Sequence, residues 1–289
     1  MSILQLPQAV PTALLMDWHA TLVDTHDAMY HAIDDVLPRL EALGLRDRLL
    51  TTEQSKTLED ARLVKYVRDH HRLHPKITAQ RKISRTDIFE VLFGSDQDAK
   101  ARIHAAFDDC YKKYVDDVHA LEGDTTSQLR RLRELGIPMG IISNRKRDYL
   151  EHELSRLEEG AWIELFDVIV CGDDVAHRKP APDMILEALR RLGQEPGPTC
   201  WYLGDSTTDV IAGKEAGVTA VFYNGAQWSQ SWLDKIFPGS PRHPHRPDAV
   251  VTRFGELVRL VRDMVANGKR VQRAAEAAFT PPEGRLREN

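Results

Sequence analysis

Downstream of residue 124, short apolar runs alternate with stretches of helical spacing. The runs at 136–142, 166–171, 200–203 and 218–223 are apolar through most of their length instead of at every second position. That is the pattern of strands buried on both faces of a parallel sheet. Between them, 147–158, 182–192 and 207–216 space their apolar residues as helices do, and the helical string QLRRLREL stops at Gly136. A further short run at 248–251 and a helical pattern at about 254–266 complete the series. Near the start, Thr12-Ala13-Leu14-Leu15 leads into the string MDWHATLVD at 16–24, which reads as a first strand and its turn. Repeated βαβ units of this kind predict an α/β fold with a doubly wound parallel sheet.

Residues 25–118 break that rhythm. They contain helix-compatible strings such as AMYHAIDDVLPRLEAL and AKARIHAAFDDCYKKYV and no convincing buried strand. The pattern therefore divides the chain into an α/β core at 1–24 and 119–266, a helical insertion at 25–118 after the first strand, and a C-terminal tail at 267–289. The tail starts helix-like and ends polar around Pro281-Pro282, and its last ten residues read as mobile.

Composition narrows the function classes. With 42% hydrophobic and 29% charged residues over 289 positions, the chain is an ordinary globular protein. A net charge of −5 argues against nucleic acid as the main partner. No apolar run approaches the roughly 20 residues that span a bilayer, so no membrane partner is expected. The first residues read as a strand, not a signal peptide. Cys110, Cys171 and Cys200 are odd in number and far apart, which suits neither a disulfide framework nor a zinc site and fits a reducing cytoplasm.

Four segments at expected strand ends carry chemistry suited to phosphoryl groups. Asp17 can act as a carboxylate nucleophile and Thr21 can contact a phosphate oxygen, although an aspartate there also serves as a loop cap. In Ile141-Ile142-Ser143-Asn144, the Ser143 hydroxyl and the following Asn144 N–H can bind a phosphoryl oxygen, while Ser-Asn alone also simply ends strands. In Arg178-Lys179-Pro180-Ala181-Pro182-Asp183, Lys179 can neutralise the nucleophile and the transferring group, with the prolines fixing its loop. Gly204-Asp205-Ser206-Thr207-Thr208-Asp209 sets two carboxylates at i and i+4 at a strand-to-helix turn, a hard oxygen site suited to Mg²⁺.

In this order, Asp17, Ser143, Lys179 and Asp205 with Asp209 resemble the motifs of the haloacid dehalogenase (HAD) superfamily across essentially the whole core. The strings LVDT and KPAPDMI resemble its phosphoglycolate phosphatase-like branch. The resemblance implies a Rossmann-like core and hydrolysis of a small phosphorylated metabolite through an aspartyl-phosphate on Asp17. It implies a Mg²⁺ cofactor held by the Asp17 carboxylate, the backbone carbonyl of His19 and Asp205, with Asp209 supporting the site. It also makes 25–118 a cap that closes over the site and selects substrate.

One departure matters: His19 stands where the family's phosphatases carry their acid/base aspartate. Histidine can do that work at neutral pH. Proximity to Asp17 would favour its charged form and a bound Mg²⁺ would oppose it. Three readings stay open: a phosphatase with His19 as general acid/base, a C–P hydrolase resembling phosphonoacetaldehyde hydrolase with Lys56 or Lys65 as Schiff-base lysine, and a non-catalytic regulatory protein that binds a phosphometabolite. The remaining features read as structural. His70, His71, His74, His243 and His245 read as solvated, Trp18 as packing, Trp228 and Trp232 as one helix face, and Lys269, Arg270 and Arg273 as a solvated face. Asp24 is expected to order the way into the insertion, and Asp173 and Asp174 either orient the Lys179 loop or face solvent.

Overall fold

In chain order the computed structural model runs through β1 (Ala13–Asp17), β2 (Val23–Asp24), α1 (His26–Val36), α2 (Leu58–His70), α3 (Pro75–Gln80), α4 (Arg85–Phe93), α5 (Gln97–Tyr111), β3 (His119–Ala120) and α6 (Thr125–Arg133). Strands and helices then alternate: β4 (Met139–Ser143), α7 (Arg147–Arg156), β5 (Val168–Cys171), α8 (Asp183–Leu192), β6 (Cys200–Gly204), α9 (Thr207–Glu215), β7 (Thr219–Tyr223), α10 (Gln230–Ile236), β8 (Ala249–Val251) and α11 (Phe254–Phe279). The structure describes residues 7, 9–81, 83–240 and 244–279, with 268–279 as backbone only. The expectations for His243, for the side chains of Lys269, Arg270 and Arg273 and for the last ten residues lie outside the described residues.

Six strands form one sheet in the order β5-β4-β1-β6-β7-β8, and every adjacent pair is parallel. Both faces are covered, which explains the continuous apolar runs. Leu14 and Met16 of β1 pack with Leu129 and Leu132 of α6, Leu150 and Leu154 of α7, and Phe254 and Leu257 of α11. Ala13 and Leu15 face the other way, against Met184, Ile185 and Leu189 of α8 and Ala212 of α9. At about 25 cal/mol per Å² of apolar surface, each fully buried leucine contributes roughly 2 kcal/mol. Sequence order diverges on the two sides of β1, which has β4 on one edge and β6 on the other. In such sheets the binding crevice opens beyond the carboxyl ends of the strands flanking that switch point.

Helices α1–α5 gather around a hydrophobic cluster of their own, from Ala28 and Ile33 through Val64, Phe89 and Leu92 to Phe107 and Tyr111. The two chain segments that enter and leave this helical body meet as an antiparallel pair, Val23 opposite Ala120 and Asp24 opposite His119. Asp24 orders that entrance: it accepts from the His26 N–H at 2.9 Å and pairs with His26 Nδ1 and Arg81.

Two helices differ from the sequence reading. The string at 28–43 reads as one helix, yet α1 ends at Val36 and gives way to a 3₁₀ turn at Leu37–Arg39. Pro38 is the reason, because it lacks an N–H and its ring crowds the preceding turn. Conversely, α11 does not stop near 266 but runs to Phe279, through the good helix formers of RAAEAAF.

Candidate functional site

β1 delivers Asp17 to the sheet's carboxyl edge, opposite Ile142 of β4. The loop ahead of α8 brings Lys179 to it: Nζ donates to Asp17 Oδ1 at 2.6 Å, to Asp209 Oδ1 at 2.7 Å and to the Tyr202 hydroxyl at 2.9 Å. Asn144 staples that loop, its Oδ1 accepting from the Lys179 N–H at 3.0 Å and its Nδ2 donating to the Lys179 carbonyl at 3.1 Å. The expected role of Asp173 and Asp174 in orienting Lys179 is therefore corrected. Asp174 instead pairs with Arg147 and accepts from the Cys171 N–H, and Asp173 accepts from the Arg147 N–H.

The segment after β6 builds the other wall. Ser206 caps α9 and its backbone N–H and hydroxyl both donate to Asp209 Oδ2, at 3.0 and 2.5 Å. With Oδ1 held by Lys179 and Tyr202, Asp209 is anchored on both oxygens. Gly204 makes room for it, since a Cβ there would overlap the Asp209 side chain, whose Oδ2 it would meet at 2.6 Å. Asp205 lines the cavity, and the buried Thr21 hydroxyl points to its Oδ1 at 3.5 Å. Thr21 does not itself line the cavity, whereas Ser143 and Asn144 do.

Carboxylate oxygens of Asp17, Asp205 and Asp209 all lie within 4.8 Å of one another. One lysine cannot neutralise all three, and the charges distribute unevenly. Burial pushes Asp17 up to about 6, with Lys179 opposing and Asp209 adding to the rise. Asp205 rises well above the usual carboxylate range through burial and repulsion from Asp17 and Asp209. Burial also opposes ionisation of Asp209, but Lys179, Ser206 and Tyr202 outweigh it and hold this carboxylate below its ordinary value. A hard divalent cation among these oxygens would offset the excess negative charge, and an all-oxygen donor set suits Mg²⁺.

His19 stands beside this cluster, its Nδ1 2.5 Å from the Thr25 hydroxyl and its ring 4.8 Å from His26. Burial, then the neighbouring His26 and Arg145, hold it well below 6.5, so the imidazole is neutral at pH 7. Thr25 also accepts from Arg145 Nη2 at 2.7 Å. Arg145 in turn pairs at 3.1 Å with Glu153, which is fully buried on α7. Glu153 takes two further donors, Trp18 Nε1 at 2.6 Å and the Tyr111 hydroxyl at 2.7 Å. Trp18 is thus a packing residue with a buried hydrogen bond, edge-on to Trp162 at 6.0 Å.

Asp17, His19, Arg145, Lys179, Asp205 and Asp209 line a cavity of about 1020 Å³ between the sheet edge and the helical body, which contributes Met29, Arg81, Ser84, Arg85, Phe107 and Asp108 among others. Lys56 and Lys65 are not among its lining residues: they pair on exposed surface with Glu90 and Asp69. His70 and His74 lie tilted against the Tyr66 ring at 4.3 and 4.6 Å, and His74 caps α3. Trp228 precedes α10 because Ser229 caps that helix, so the two tryptophans do not share a helix face; their rings nevertheless stack 4.1 Å apart. Sequence reasoning missed Tyr202, Ser206, Thr25, Arg145 and Glu153. Only Ser206, preceding a helix with Asp209 at its third position, carried a legible capping signal.

A carboxylate–lysine cluster at the switch point of a doubly wound parallel sheet, beneath a body of helices, defines a hydrolase of the haloacid dehalogenase-like type with an α/β core. The signature of the haloacid dehalogenase-like hydrolases matches residues 14–223, and the chain belongs to that family. It is 30% identical over 172 residues to the bifunctional riboflavin kinase/FMN phosphatase of Arabidopsis thaliana, covering 50% of this chain and 44% of the relative. It is 28% identical over 155 residues to the phosphoglycolate phosphatase of Pectobacterium atrosepticum, covering 54% of this chain and 61% of the relative. The chain thus spans less than two thirds of the length of these relatives. A solved haloacid dehalogenase-like chain from Bacteroides fragilis shares the fold, with a TM-score of 0.60 at 23% identity over 86% of this chain and 99% of that one.

Proposed function

We propose that the protein is a Mg²⁺-dependent hydrolase of a small phosphomonoester, working through an aspartyl-phosphate on Asp17. The observation that carries this reading is the buried Asp17 carboxylate, held by Lys179 at 2.6 Å and facing a cavity lined by Ser143 and Asp205. Names of relatives such as FMN phosphatase and phosphoglycolate phosphatase support it.

In this reading, Asp17 attacks phosphorus, the ester P–O bond breaks and the leaving oxygen takes a proton. Water then attacks the aspartyl-phosphate, releasing inorganic phosphate and restoring the carboxylate. Lys179 stays charged throughout and orients Asp17, while Ser143 and the Asn144 N–H hold phosphoryl oxygens. His19 occupies the acid/base position: its neutral imidazole can take a proton from the attacking water, and the imidazolium so formed can give that proton to the leaving oxygen of the next ester. Asp17, Asp205 and the His19 backbone carbonyl would hold Mg²⁺, with Asp209 behind them. When bound, the ion supplies positive charge to the phosphoryl oxygens. The helical segment 25–118 serves as the substrate-selecting cap on a core of 1–24 and 119–266, and a cytoplasmic setting fits the buried free cysteines. The C–P hydrolase reading is disfavoured by the exposed positions of Lys56 and Lys65. The intact acidic cluster disfavours a purely regulatory role.

The test is phosphate release from a panel of small phosphomonoesters, with and without Mg²⁺. Activity should require the metal and fall at least about 10³-fold in Asp17→Asn. Release that persists in the folded variant would remove Asp17 as nucleophile.

A further inference from the structure

Two guanidinium groups lie on one aromatic ledge in the cavity wall. Phe107 and Tyr111 are four apart on α5 and stack with centroids 5.5 Å apart. The Arg85 guanidinium sits 4.4 Å above the Phe107 ring, and that of Arg145 sits 4.7 Å above the Tyr111 ring. Arg85 comes from the helical body, Arg145 from the loop after β4, and all four residues line the cavity.

Their protein partners leave the ledge cationic. Arg85 pairs at 2.9 Å with Asp108, which also takes Lys146 at 3.2 Å. Arg145 pairs with the buried Glu153, yet its own Nε is buried with no hydrogen-bond partner among the described residues. Arg178, also in the lining, has its Nε donating to the Gly172 carbonyl at 3.0 Å and no carboxylate partner among the described residues. Four cations thus share two carboxylates. Burial lowers Arg85 below the usual arginine value, and repulsion from Arg145 and Arg178 adds to it. Arg145 is also close enough to Asp17 to be influenced by its charge. Surplus guanidinium charge on a cavity wall is costly to desolvate, and an anion in the cavity is the ligand that offsets it. If the ledge only fastened the helices to the core, matched carboxylates would suffice and no donor would be left over.

We propose that Arg85, Arg145 and Arg178 form a subsite for a second anionic group, so that the substrate is a short molecule with a phosphoryl group at one end and a carboxylate or second phosphate at the other. This rests on the reading of Asp17 as the phosphoryl site. A neutral end group would leave the ledge unsatisfied, so discrimination is strong.

The Asp17→Asn protein, which lacks the nucleophile that would turn the ester over, is titrated calorimetrically in Mg²⁺ with three probes: 2-phosphoglycolate, propane-1,3-diol bisphosphate and 2-hydroxyethyl phosphate. At least one anion-ended probe should bind tenfold or more tightly than the hydroxyl-ended one, and the tighter of the two identifies carboxylate or phosphate. Arg85→Gln, added to that background, should reduce the ratio at least threefold. Arg178→Gln, at an exposed position, should do the same and covers the case in which the first variant fails to fold. Lys56→Gln, outside the cavity, should keep the ratio. Equal or absent binding of the probes, or a ratio unchanged in both folded arginine variants, overturns the subsite. Phosphate release by the wild-type chain is read separately. Its absence from every probe removes the hydrolase reading, and the binding ratio still decides the subsite.

Discussion

The Lys179 ammonium lies within 2.9 Å of two carboxylates and a phenol, all buried, and no water-exposed group shares its charge. Removing it leaves Asp17 and Asp209 facing each other in a poorly solvated site. Lys179→Met should therefore cost about 3–5 kcal/mol of stability in urea denaturation, besides abolishing phosphate release. Tyr202→Phe removes one donor from Asp209 and keeps the ion pairs, so about 1 kcal/mol is expected. At His19 the substitution to test is His19→Asp. If the imidazole serves as acid/base, turnover should be preserved or raised with a shifted pH optimum. Loss of activity in a folded His19→Asp protein would show that the histidine has another role.

At the scale of elements, Glu153 joins three of them. From α7 it accepts from Trp18 after β1, from Tyr111 at the end of α5, and pairs with Arg145 of the loop after β4. Through Arg145 and Thr25 the connection continues to His19. Deleting the carboxylate strands three buried donors at once. Glu153→Ala should lower the unfolding free energy by about 3–5 kcal/mol, and an effect below about 1 kcal/mol in the denaturation midpoint would contradict this account. The sequence shows Glu153 only as one more charged residue in a helix rich in them. Nothing local marks it for burial, because its hydrogen-bond donors Trp18 and Tyr111 lie 135 and 42 residues away.

For the molecule as a whole, pH acts through the helical body as well as the acidic cluster. His104 of α5 packs edge-on against Phe89 at 4.9 Å, and its Nδ1 is buried without a partner among the described residues. Burial, then the nearby Arg85, push its pKa down from 6.5 to about 4, with Asp108 opposing. The unfolded chain therefore binds a proton more readily than the folded one between these values. The stability this represents is present above pH 6.5 and lost as pH falls through 4, at most about 3 kcal/mol. Unfolding midpoints of wild type and His104→Gln, measured from pH 7 to pH 4, should separate by that slope. Parallel curves would mean that His104 titrates normally in the folded protein.

The sequence by itself determined the strands, the crossover helices and the four motif segments, because side-chain period and turn chemistry are local properties of the chain. It also marked the change of pattern after β1, where α1–α5 follow. Tertiary structure decided which motif residues touch. Lys179 reaches Asp17 across 162 residues only because β4 and β6 flank β1, and strand order is not written in any one strand. The same holds for the two-residue pair β2–β3, too short to show a period, and for the ledge of Arg85 and Arg145. Each of those arginines reads as an ordinary surface cation until the fold stacks them on neighbouring rings.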